Sequence, residues 1–183
     1  MSRYLHLQAA GLLTWLAQPP LSPAQRVLAG LLALPHSAEL VPARLAVAFG
    51  LDLPAFARAL FELNRSRSLQ VAGEVCDHRE EFRPDHTRLC QDLQQLAPQA
   101  AVLLADDAGL CLAQHGVSPA DCSRQAALCH RGPSADFPFV MPLHLGPRRV
   151  YLCARTPVDV SGVALLRLAR RLIGLQQHGP CPA

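Results

Sequence analysis

Two short Cys/His pairs carry the most chemistry in this chain. Cys76-Asp77-His78 puts a thiol and an imidazole one residue apart. His86-Thr-Arg-Leu-Cys90 repeats the pair at i,i+4, where both side chains share one helical face. Thiolate and imidazole are ligands that zinc prefers, and two pairs supply four of them. Cys76, His78, His86 and Cys90 are therefore the candidate metal set. The first pair has a one-residue spacer where structural zinc sites more often have two to four, so the alternative is a connecting segment with ordinary histidines and thiols. Cys122, Cys129 and His130, with Cys111 and His115 near them in sequence, form a second group. These read as core thiols that behave as small hydrophobes.

Other chemistries are excluded by composition. All 17 basic residues are Arg, so Schiff-base, phosphate-loop and kinase-type lysines are absent. No Gly-x-Ser-x-Gly, His-Glu-x-x-His or Gly-rich phosphate loop occurs. Asp106-Asp107 could be taken for an acid/base pair, but before Ala108-Gly109 they read as turn formers. The chain is expected to be non-enzymatic and without a cofactor, zinc being the alternative. A net charge of +3 permits nucleic-acid binding without arguing for it. Half of the residues are apolar, enough for a core, and no apolar run reaches the roughly 20 residues of a membrane helix. The seven cysteines lack disulfide-framework spacing and no clean leader precedes the first helix, so a cytoplasmic protein with reduced thiols is expected.

The elements that must position these residues follow from periodicity and punctuation. Residues 2–17 read as an amphipathic helix stopped by Pro19-Pro20, with a leucine-rich side free to meet a partner. Ser22-Pro23 starts a helix over residues 24–34, and a shorter one follows over 41–49 and stops at Gly50. A third helix begins at Asp52 or Leu53 and carries Phe56, Leu60, Phe61 and Leu63 inward. Residues 69–71 then form a short strand. The charge-rich stretch 74–88 reads as a joint leading into a helix over 85–96. Next come a hairpin over 101–113, a helix over 118–129, strands over 137–145 and 149–154 around a turn at 146–148, and a last helix over 160–176. Arg167, Arg170 and Arg171 are expected on its polar side, and residues 179–183 are expected to fray. The class is α+β, with a helical module over 1–75, a linker over 76–88 and a small αβ module over 89–178.

Helix, short helix, glycine turn, helix and strand over residues 26–34, 42–51, 54–63 and 69–71 resemble a winged helix-turn-helix domain. That resemblance implies DNA contacts from Arg44, Arg58, Arg65 and Arg67, with the third helix in the major groove and arginines near its end on phosphates. Up to residue 73 there are six Arg against three acidic residues, and a solvated helix face is the plainer reading of the same arginines. Residues 93–96 leading into 101–113, then 139–145 and 149–154, resemble the roadblock/LC7 family and, second, GAF-type sensor domains. Segment 117–134 is shorter than that family's central helix. The resemblance implies a homodimer and a small Ras-like GTPase as partner. Three functions follow as expectations, with no membrane partner in any. The first is a dimeric bacterial regulator that binds DNA. The second is a scaffold or adaptor for a GTPase or another protein. The third is a metal- or redox-linked sensor.

Overall fold

Short polar side chains set four helix starts. Ser22 accepts from the Gln25 N–H while the Gln25 side chain accepts from the Ser22 N–H, a reciprocal cap with Pro23 in the first turn. Asp52 accepts from Ala55, Asp85 from Thr87 and Arg88, and Ser118 from Asp121. A computed structural model describes residues 2–19, 21–83, 85–145, 148–158 and 162–178. It is an α+β fold. The order is β1 (Tyr4–Leu7), α1 (Leu12–Leu16), α2 (Pro23–Leu32), β2 (Ala38–Glu39), α3 (Pro42–Ala48), α4 (Leu53–Arg65), β3 (Leu69–Ala72), α5 (His86–Leu96), β4 (Val102–Asp106), β5 (Cys111–His115), α6 (Pro119–Leu128), β6 (Phe139–Leu145), β7 (Arg148–Ala154) and α7 (Val163–His178). The expected start of the last helix at Val160, the Gly146-Pro147 part of a turn, Pro20 and the tail from Gly179 lie outside the described residues.

The first expectation to fail is the helix over 2–17. Residues Tyr4–Leu7 are a strand, central in a three-stranded antiparallel sheet of order β2-β1-β3, with Leu5 opposite both Ala38 and Val71. Ladder partners near residues 38 and 70 override the helical spacing of the leucines, a tertiary effect that local pattern cannot register. Leu5, Leu12 and Leu16 are buried in the common core, so the leucine-rich side expected to await a partner is already covered.

The second sheet is antiparallel with order β5-β4-β7-β6. Its central strands are apolar on both faces because both faces are covered. Leu104 and Leu152 face α5 and α7, while Leu103 and Cys153 belong to the cluster built on α6. The Asp106 side chain accepts from the N–H groups of Ala108 and Leu110, which makes it a turn former.

One buried cluster runs from Leu5 through α2 and α4 to α5 and α7. Segment 76–88 is not the free linker that its charge suggested. The Cys76 N–H donates to the Ser37 hydroxyl (2.6 Å) and the His78 N–H to the Pro35 carbonyl (2.7 Å). The 3-10 turn Arg79–Phe82 lies on α7, where the Phe82 carbonyl sits so close to Gly174 that a Cβ there would collide with it. The segment is a strap between the first half and α7. Among the described residues no helix is long and apolar enough to cross a membrane.

Candidate functional site

Helices α3 and α4 bury one side and leave the other in water. Leu45, Ala46, Phe56, Ala59 and Leu63 face the core, and the Phe49 and Phe56 rings meet at 6.2 Å across the turn at Gly50. Gly50 has φ 64°, a left-handed conformation that glycine adopts without steric cost. On the outward side Arg44 and Val47 stand one turn apart on α3. On α4 Arg58, Phe61 and Arg65 follow at i, i+3 and i+7. Val47 is 79% exposed, Phe61 66% and Leu53 50%. Phe61 was expected to point inward. A step of about 100° per residue puts it opposite the arc of Phe56, Ala59 and Leu63, and that projection is the signal that plain adjacency to Leu60 hides.

The end of α4 is fixed by backbone. Ser68 N–H donates to the Leu63 carbonyl (2.9 Å) and Arg67 N–H to that of Asn64 (3.0 Å), the paired bonds of a Schellman cap. Arg67 therefore occupies the left-handed position, with φ 56°, where glycine is usual. The Trp15 indole N–H donates to Ser66 Oγ at 3.1 Å and ties this corner to α1. Arg44, Arg58, Arg65 and Arg67 are all exposed, and among the described residues none forms an ion pair. They stand on and just after the helix pair. The wing differs: β3 is paired with β1 from the start of the chain, and the next element after it is the 3-10 turn.

The proposed metal set does not assemble. His86 and Cys90 do share a face, with Sγ 3.9 Å from the ring nitrogens. Cys76 instead lies 3.7 Å from Nδ1 of His6, whose Nε2 donates to the Glu74 carbonyl. His78 turns to Glu81 (3.7 Å). Among the described residues no three His, Cys, Asp or Glu side chains are grouped to hold a metal. The strap separates the pairs by giving each a different neighbour. The core cysteines are held as thiols: burial, with Cys122 adding to it, pushes Cys111 up to about 12, and burial pushes Cys153 up to about 12. Cys129 is raised by the same cause. A thiol so held is a poor nucleophile and a poor redox sensor.

The sequence missed a buried ion cluster behind the strap. Arg171 donates from Nε to Asp92 at 2.8 Å and from Nη1 to the Arg83 carbonyl. Arg170 pairs with Glu81, and Arg167 approaches Asp92 at 3.5 Å. Arg170 and Arg171 are each 4% exposed, so they are not the solvated polar side expected of α7. The legible signal was Asp92, which sits on the apolar stripe of Leu89, Leu93 and Leu96 and needs a buried cation there. Burial first and Arg170 second hold His78 below the ordinary histidine value, against the opposite pull of Glu81. Comparison with protein-family models, curated proteins and solved structures finds no match to this chain.

Proposed function

We propose that this chain is a non-enzymatic adaptor in a regulatory system, and that the outward side of α3 and α4 docks a partner protein. One observation carries the reading: Val47 beside Arg44 on α3, and Phe61 between Arg58 and Arg65 on α4, stand in water, as does Leu53 at the start of α4. Large apolar side chains left together on a surface mark protein contacts, and aromatic and arginine side chains are enriched where such contacts are strongest. The partner that fits presents apolar side chains ringed by carboxylates. The roadblock resemblance of the second half would make a small Ras-like GTPase one such partner, and homodimerisation is part of the same proposal. A cytoplasmic setting accords with the free thiols.

DNA binding is the second reading, favoured by the four exposed, unpaired arginines among the described residues. It has less support because β3 has its partner at the start of the chain instead of in a two-stranded wing, and because Phe61 occupies the side that would face a groove. Fluorescence anisotropy of a labelled non-specific duplex across a salt series separates the two. The adaptor gives no salt-sensitive binding. Affinity that falls steeply with salt through counterion release, and weakens in Arg58→Ala/Arg65→Ala, would replace the adaptor by a DNA-binding regulator.

A further inference from the structure

A cavity of about 290 Å³ lies where the two halves of the chain meet. Trp15 on α1 and Leu28 and Ala29 on α2 form one wall, and Leu145 at the end of β6 and Ile173 on α7 form the other. Small-molecule sites have about this volume and favour junctions of this kind.

Two lining side chains are held in place before any ligand arrives. The Trp15 indole is fixed by its bond to Ser66. Gln25, 5% exposed, has its side-chain oxygen committed to the N–H groups of Leu21 and Ser22 at 2.9 and 2.8 Å. That sets the plane of the amide and leaves Nε2 as the donor Gln25 can offer the cavity. Among the described residues Nε2 makes no hydrogen bond, and it is open to water. None of the described lining residues is Arg, Asp or Glu. His144 at the rim is held below the ordinary histidine value by burial and then by Arg149, which favours its neutral form. A charged ligand would leave water here and meet no counter-charge among the lining residues.

We propose that this cavity binds a neutral, largely apolar small molecule whose carbonyl or ether oxygen accepts from Gln25 Nε2. The site is separate from the docking side of α3 and α4, and the proposal stands without it. Because both halves contribute walls, an occupant bound only by the folded chain stabilises the whole of it by mass action.

The probe for the test is N-phenyl-1-naphthylamine, which is neutral and fluoresces strongly only out of water. Trp15 is the single tryptophan and lines the cavity, so energy transfer from it reports probe bound near it, and cavity-filling variants locate that probe. The expected result is saturable transfer that Ala29→Phe, filling the cavity from α2, weakens at least about tenfold. Val163→Ser, which removes an exposed apolar side chain elsewhere, leaves the transfer unchanged. Ala33→Leu, on the exposed rim, repeats the filling test if Ala29→Phe does not fold. 1-Octanol displaces the probe and octanoate does not. No transfer from Trp15, or transfer as strong in a folded filling variant, overturns the site. Displacement by octanoate as effective as by 1-octanol overturns the neutral class.

Discussion

Removing one partner of a buried ion pair costs more than the pair itself contributes, because the other charge is left without water or counter-ion. Asp92 holds Arg171 in this way, and the two side chains are 6% and 5% exposed. Asp92→Ala should therefore lose about 3–5 kcal/mol in urea unfolding, and a loss near zero would show that Arg171 reaches water. Arg67 gives the opposite sign. Its left-handed backbone is costly for a residue with a Cβ, and Arg67→Gly should stabilise the chain by about 1 kcal/mol, read as a higher urea midpoint at unchanged slope. His78 supplies a pH dependence. Its folded value lies below 6.5, so the unfolded chain binds the proton more readily. The stability this contributes is present above 6.5 and is lost as pH falls below it. The urea midpoint should drop on going from about pH 8 to about pH 5.5, and drop less in His78→Gln. Equal slopes in both proteins would place the cause elsewhere, His144 being the other histidine shifted the same way.

At the scale of elements, the strap depends on Gly174. In a helix interior Gly→Ala ordinarily gains about 1 kcal/mol, but a Cβ at Gly174 meets the Phe82 carbonyl. Gly174→Ala should destabilise the chain and raise amide exchange over residues 76–83, and a gain in stability would show that the strap does not rest on α7. The helix starts were readable because Ser22, Asp52, Asp85 and Ser118 act within three residues of themselves. The hairpin at Asp106 was readable for the same reason. β1 was not, because what makes Tyr4–Leu7 a strand is Leu69–Ala72, far along the chain. The strap was misread likewise: its seven charges suggest solvent, yet Glu81 meets Arg170, and Asp92 on α5 meets Arg171, only after α5 and α7 pack. For the candidate site, helical spacing put Arg58 and Arg65 on one face of α4, while Arg44 and Arg67 came from the winged-helix resemblance. Phe61 was not, since an aromatic beside Leu60 reads as core until the helix is projected. The metal set failed because i,i+4 spacing guarantees one pair and says nothing about where a second pair goes.

At the scale of the molecule, a first half of helices with a small three-stranded sheet and a second half of a four-stranded sheet covered by helices share one buried cluster and are held by one strap. On α3 and α4 this core leaves a side with Val47, Leu53 and Phe61 in water. The claim that this side meets protein is tested most directly by placing the photo-crosslinking amino acid p-benzoylphenylalanine at position 61 in the full chain and irradiating it in its own cells. The account predicts one discrete protein adduct that Arg58→Glu/Arg65→Glu abolishes, with no adduct from the same group placed at the buried position 63. Crosslinking to DNA, or to no macromolecule at all, would contradict it.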